Sequence, residues 1–335
     1  MAFRFRLAET FEEGCQRIAR EQIERAQAQL KGPDDVTTAV HETRKSLKRL
    51  RALLRLIRPA IGESVFHHEN TQLREIARIL SSARDRHVLL ETVAKLEAAV
   101  SFPKKGLGQA LREALNVTNG EQSPIFESAA LRQAQARLAE AKKRFARLRL
   151  SGHGFHIVGP GLEASYRRAR RAFREAYVEL TDEAFHEWRK GAQAHWRHML
   201  LLTRAWPAAL AARASEARGL SQILGDDHDL ALLVGFVRSE AGARLGADAA
   251  VVEKLVRRRQ QELRGIAHPK GLRLFAESPK AVHQSIAAYW EAAVALKGRE
   301  PDVDEAPSAH KPGTPATRRR RLPARTRGSS SDPHA

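Results

Sequence analysis

The sequence predicts an all-α protein made of two homologous halves, and three observations carry that prediction. Ala, Leu, Arg, Glu and Gln dominate its 335 residues, no sustained period-two run of Val, Ile or Thr appears, and Gly and Pro gather between long periodic stretches. A His-x-x-Arg-Lys pattern opens two helical segments about 145 positions apart, as His41, Arg44, Lys45 and as His186, Arg189, Lys190. A second pair, LSSARDRHVLL at 80–90 and LGDDHDLALLV at 224–234, follows in the same order, with Asp85 44 residues after His41 and Asp229 43 after His186. Two motifs recurring in one order at nearly one separation indicate an internal duplication. Its natural architecture is a pair of bundles related by pseudo-two-fold symmetry.

Taken along the chain, apolar periodicity predicts helices over about 8–30, 36–58, 63–81, 84–100 and 127–149 in the first half. GPDD at 32–35, Pro59 with Gly62, and SFPKKG at 101–106 are the breaks between them. SGHGFHIVGPG at 151–161 reads as the connector between halves. In the second half the pattern predicts helices over about 161–177, 181–205, 207–224, 227–241, 247–266 and 279–297. From Pro301 to Ala335 the chain is rich in Pro, Ser, Arg and acidic residues without apolar periodicity, the composition of a disordered basic tail. The folded unit is therefore expected over 5–297, with halves at about 5–150 and 161–297.

Charge narrows the class of partner. With 58 Lys+Arg against 39 Asp+Glu the formal charge is +19, and the pI is near 10.8. The 301–335 tail holds seven Lys+Arg and four Asp+Glu, so +16 remains on residues 1–300 and the basicity belongs to the folded body. A polyanion is the partner this balance implies. An apolar content of 42% excludes a wholly disordered basic protein. Cys15 is the lone cysteine, which excludes an intramolecular disulfide and a Cys-rich zinc site and fits a reducing compartment. The early charges of MAFRFRLAETFEEG and the lack of an apolar run near the roughly 18 residues of a span lead to the expectation of a soluble intracellular protein.

On the 36–58 helix, with about 100° per residue, His41, Arg44, Lys45, Lys48 and Arg55 fall within roughly 50° of one direction. The opposite face carries Leu47, Leu50, Leu53, Leu54 and Ile57. A solvated helix normally interleaves acids at i,i+4, yet from Arg44 to Arg58 this one adds Arg49, Arg51 and Arg58 and no acid. Such repulsion is explained most simply by a bound anion. The second helix places His186, Arg189, Lys190, Arg197 and Arg204 on one side. A third stripe, Arg167, Arg170, Arg171 and Arg174 around Tyr166, follows i, i+3, i+4, i+7, although a plain solvated charge run explains it too. Lys142 belongs to a further basic stretch at 137–149.

Other chemistries find less support. Asp226, Asp227, His228 and Asp229 suggest a metal-dependent phosphohydrolase, but Arg84-Asp85 at the equivalent place cannot ligate in the same way. Asp85 and Asp229 are instead expected to cap helices or hold arginines. His67 with His68, or His195 with His198, lie in no recognisable companion motif, and Glu183-x-x-His186 has no second copy. No Walker A loop, Gly-x-Ser-x-Gly elbow or His-Glu-x-x-His pair is present. The reading includes no cofactor, no metal and no catalytic residue.

The two His-x-x-Arg-Lys helices, the Arg-Asp and His-Asp segments, GLEASYRRARRA at 161–172 and GLRLFAESPKAV at 271–282 resemble the CHAD family, the conserved histidine α-helical domain, over about 5–297. The resemblance implies two four-helix bundles, a basic groove or pore between them, and binding of inorganic polyphosphate. It implies ligand roles for His41, Arg44, Lys45, Lys48, Arg49 and Arg51, and for His186, Arg189 and Lys190. Gln193, where a lysine is common, and Ala194 and Trp196, opposite Arg49 and Arg51, make the second half weaker. The Glu-x-Glu-x-Lys signature of the triphosphatase domain fused to some members is absent, and the chain begins too close to its first helix to hold that domain, so the resemblance gives no reason to expect hydrolysis. The expectation is a non-catalytic polyphosphate binder, cytoplasmic and recruited to polyphosphate granules. The alternative is a nucleic-acid binder, disfavoured by 6% aromatic residues and by Trp188, Trp196, Trp206 and Trp290 at what read as packing positions, with the Arg318–Arg321 tail adding weak affinity.

Overall fold

A computed structural model describes residues 3–80, 85–117 and 124–297. Arg84, the Asp85 side chain and the 301–335 tail lie outside the described residues. Within them the chain is all-helical. Its α-helices are α1 (Phe11–Gln29), α2 (Val36–Ile61), α3 (Glu63–Ile79), α4 (Asp85–Ala99), α5 (Leu107–Val117), α6 (Pro124–Ala146), α7 (Gly159–Glu179), α8 (Asp182–Leu201), α9 (Pro207–Val237), α10 (Asp248–Leu274) and α11 (Pro279–Leu296). No described helix is long and apolar enough to cross a membrane.

Local chemistry sets the ends. The α1 start is a capping box, in which Thr10 Oγ1 accepts from the Glu13 amide at 3.2 Å and Glu13 Oε2 accepts from the Thr10 amide at 2.9 Å. Asp35 caps α2 by accepting from the Thr37 amide at 2.9 Å. Pro59 is tolerated in the last turn of α2, and Gly62, at φ 78°, stops it. Thr181 and Ser278 cap α8 and α11 through the Ala184 and Ala281 amides.

Three expectations are corrected. The helices predicted over 207–224 and 227–241 are one, α9, because no residue at 225–226 breaks the ladder and Leu220, Leu224, Leu230 and Leu233 stay buried on both sides of Gly225. α10 continues past 266 through Pro269, since Leu263, Ala267, Gly271 and Leu274 keep a buried stripe and the carbonyl left without a donor belongs to exposed Gly265. α5 was not anticipated; its eleven residues bury Leu107, Leu111, Ala114 and Leu115 at i, i+4, i+7, i+8.

Packing divides the apolar interior in two. α1, α2, α3 and α6 pack neighbour to neighbour in a closed ring, and α2 also packs on α7 and α8. The first core joins these helices to the N-terminal half of α9 and to α11, with Leu50, Leu53, Leu54, Tyr166 and Trp188 essentially inaccessible. The second core joins α4 and α5, which belong to the first half by sequence, to the C-terminal half of α9, the 3-10 turn Glu240–Leu245 and the first turns of α10. Trp188 and Trp290 are packing residues, whereas Trp206 is half exposed, edge-on to Tyr289 at 4.9 Å.

The α2–α7 and α7–α8 crossings are unusually close. A Cβ on Gly161 would lie 1.9 Å from the Leu56 carbonyl oxygen, and one on Gly191 would lie 2.7 Å from Ala169 Cα. Both obstacles are backbone or backbone-adjacent, so neither can rotate away. Gly161→Ala should therefore destabilise by at least about 2 kcal/mol in urea unfolding, the cost of overpacking. Gly219→Ala, in α9 with open space at its Cβ, should stabilise by about 0.5–1 kcal/mol through helix propensity.

Candidate anion-binding site

The leucine stripe of α2 fixes where its cations point. With Leu47, Leu50, Leu53, Leu54 and Ile57 buried, Arg44, Lys48, Arg51 and Arg55 emerge along the opposite edge at i, i+4, i+7, i+11. α8 lies against α2, and buried His198 ties them, its Nε2 3.0 Å from the Ala52 carbonyl oxygen. Burial outweighs that contact and pushes the His198 pKa down to about 4. A neutral imidazole donating to the carbonyl is the form this geometry requires.

Between α2 and α8 opens a cleft of about 350 Å³. Arg44, Lys48, Arg51 and Arg55 line it from α2, and His186, Arg189, Lys190, Gln193 and Arg197 from α8. α9 adds His228, Asp229 and Leu232, and α4 adds Val88. Seven cations thus face one acid, Asp229, among the described lining residues. Arg189 passes over Gly225 of α9, where a Cβ would stand in ordinary van der Waals contact with its Nη2 at 3.6 Å.

The electrostatics follow from burial first and from crowding second. Burial first, then the guanidiniums of Arg49, Arg55 and Arg189, push the Arg197 pKa down to about 9. Burial together with Arg51 and Arg168 brings that of Arg55 to about 10, and burial with Arg74 lowers Arg51. His186 is lowered by burial, Lys190 and Arg189, and His228 falls to about 4 through burial, Arg189 and His186. Every one of these shifts disfavours added positive charge. A bound anion would offset the part of each shift that comes from neighbouring cations.

The LGDDHD turn of α9 distributes its side chains outward in several directions. Asp226 pairs with Lys95 of α4 at 2.9 Å. Buried Asp227 pairs with Arg264 of α10 at 2.8 Å, and Arg264 also reaches Asp182 at the start of α8 at 2.6 Å. His228 stacks on His186 with ring centroids 4.1 Å apart, and Asp229 enters the cleft. Asp229 is mid-helix, so the helix-capping role expected for it does not hold. Among the described residues no three His, Cys, Asp or Glu side chains gather as a metal-ligand set.

Half of the sequence-predicted residues line this cleft: Arg44, Lys48, Arg51, Arg55, His186, Arg189, Lys190 and Arg197. The others do not. His41 is exposed near the start of α2, and Lys45 pairs with Glu42 at 2.6 Å. Arg49 donates to Gln22 Oε1 at 3.1 Å and lies over the Phe3 ring. Lys142 pairs with Glu24 at 2.7 Å, because α6 turns that face toward α1. On α7, Arg167 pairs with Glu163, Arg171 with Glu175 at 2.6 Å, Arg170 donates to the Phe275 carbonyl at 2.9 Å, and Arg174 is exposed. That stripe is largely a solvated i,i+4 face, with Arg170 capping the C-terminal end of α10. Arg204 falls in a 3-10 turn beyond α8. The anion-site residues read from the sequence omitted Arg168, whose charge acts on Arg55, and His228, which was weighed only as a metal-site candidate. The repeated spacing pointed to 228–229, but pairing of His228 with His186 across two helices leaves no sequence signal.

The comparison with known families now has geometry to rest on. The family model of the CHAD domain matches residues 17–238, which includes both walls of the cleft. The chain belongs to the CHAD family. No curated protein matches it. The CHAD match ends with α9, while α10 and α11 still complete the fold, supplying Val252, Val256 and Leu263 to the second core and Ile286 and Trp290 to the first. Arg197 carries much of the cost of this crowding. It is 7% exposed, donates to the Gln193 carbonyl at 2.9 Å and lies over the Trp196 ring, while other guanidiniums crowd it. Arg197→Met keeps the volume and removes the charge, so the unliganded protein should gain about 1–3 kcal/mol in urea unfolding at low salt. A loss of stability there would show that Arg197 is held by its contacts rather than strained by its neighbours.

Proposed function

We propose that this CHAD chain is a non-catalytic binder of inorganic polyphosphate, held in the cleft between α2 and α8. The observation that supports it most is the convergence of Arg44, Lys48, Arg51, Arg55, Arg189, Lys190 and Arg197 from two helices onto one cleft. Condensed phosphate carries charge on every unit. A run of its phosphoryl groups laid along the cleft would neutralise cations from both helices at once, with guanidinium forks taking oxygens in pairs. In this reading α2 and α8 are the corresponding helices of two homologous bundles, related by pseudo-two-fold symmetry across the groove. The protein would be cytoplasmic and collect on polyphosphate granules through this affinity.

Nucleic acid is the competing polyanion. The described lining contains no Phe, Tyr or Trp, so successive bases would find no stacking platform there. Titration with polyphosphates of defined length at two salt concentrations tests the reading. Binding should weaken steeply with salt, and Arg55→Gln and Arg189→Gln should each cost roughly tenfold in affinity, the loss of one charge-assisted contact. Each should also take about one unit from the slope of log K against log salt. Displacement by duplex DNA or RNA at equal phosphate concentration would replace polyphosphate as the ligand. Phosphate release with added Mn²⁺ or Mg²⁺ that disappears in Asp229→Ala would replace the non-catalytic reading with a hydrolase.

A further inference from the structure

His186 of α8 and His228 of α9 lie face to face on one wall of the cleft, ring centroids 4.1 Å apart and planes 28° from parallel. His186 Nδ1 is buried without a hydrogen-bond partner. A buried ring nitrogen with no partner is costly unless something completes it. We propose that the His186–His228 pair is a protonatable phosphate subsite, which takes up one proton from solvent as an anionic phosphoryl oxygen arrives and donates a hydrogen bond to it. This rests on the polyphosphate reading and adds to it a chemical condition: the ligand enters the cleft together with a proton.

The surroundings set the sign. On α8 the charged groups acting on the pair are Arg189 and Lys190, which oppose a proton, and Asp182, Glu183 and Glu187, which favour one. Asp182 is already engaged by Arg257 and Arg264 of α10, and Glu187 by Lys190. From α9 the one carboxylate lining the cleft is Asp229. From α2 come Arg44, Lys48, Arg51 and Arg55, all cationic, and α4 presents apolar Val88. The balance of these groups is positive, and burial with Arg189 and Lys190 holds both imidazoles below the ordinary histidine range. A phosphate run reverses the local sign and raises the affinity of the rings for a proton. Because the rings are in contact, one proton serves both; a second would meet the first at stacking distance.

Linkage then fixes the direction. The bound form holds more protons than the free form between the free and bound pKa values of the pair, so affinity rises as pH falls through that window. It levels off above the bound value and again near the free value, about 4 for His228. The ceiling is about tenfold per pH unit for one proton.

The experiment is calorimetry of the full chain with long-chain sodium polyphosphate at about pH 6.5, in buffers of different ionisation enthalpy, together with affinities from about pH 5.5 to 8. Long chains are used because their ionisable end groups are few. The expected result is net uptake approaching one proton per site, with binding at least about fivefold tighter at the acid end. His186→Gln and His228→Gln should each flatten the profile and reduce the uptake. Tight binding without proton uptake overturns the subsite and leaves the polyphosphate reading intact. Uptake that persists in both variants assigns the proton elsewhere and also overturns it. Absence of binding at every pH overturns the polyphosphate reading itself, and the subsite with it. The two single variants are read independently, so if one fails to fold the other still assigns the proton.

Discussion

Like charges held close together are the constraint on which the molecule turns. Left to themselves, the cations of α2 and α8 would separate or melt their helices, since each added neighbour raises the free energy of the set. They stay together because the opposite faces of the same helices are buried too well to move. Leu50, Leu53 and Leu54 of α2, Trp188 of α8 and the His198–Ala52 hydrogen bond fix the two backbones, while Gly161 and Gly191 let α7 press against both. The core sets the geometry, and the cleft charges are along for it. Burial of apolar side chains, worth about 25 cal/mol per Å², is what can sustain such an arrangement.

The same logic separates the two kinds of acid in the protein. Asp182 and Asp227 share Arg264, and Arg257 joins Asp182, so the first turn of α8, the middle of α9 and α10 are fastened by one network of alternating sign. Gln260 adds a hydrogen bond to the Asp227 carbonyl at 3.1 Å. That network lies one residue from His228, and it fixes the rotation of α9 that brings His228 over His186. A buried pair of this kind is weak evidence of net stability; what it supplies is directional contacts that orient the helices it joins. Here the orientation matters to the cleft.

Much of this was legible in the sequence, for reasons that differ by residue. The α2 face could be read because a strict apolar stripe and an acid-free cationic run occupy one helix, so local periodicity contains the whole signal. The all-helical class and most helix boundaries follow from the same periodicity and from caps such as Asp35 and Gly62. The α7 stripe reads as unpaired in sequence because its neutralising partners, Glu163 and Glu175, sit just outside the arginine run. The pairing of Lys142 was hidden because nothing local reveals that α6 turns that face toward Glu24. His228 was visible as a repeat position and not as a cleft residue, because its neighbour is 42 residues away in sequence. The continuity of α9 was hidden by a Gly-Asp-Asp run that looks like a break and is held helical by partners on α4 and α10.

The placement of α4 and α5 makes the two halves inseparable as folding units. Val93, Leu96, Leu107 and Leu111 are covered by Leu230, Leu233, Val252 and Val256, from residues more than a hundred positions later. A nascent chain that has emerged only as far as the connector carries this greasy hairpin with nothing to dock on, a surface for chaperones or for other unfinished copies.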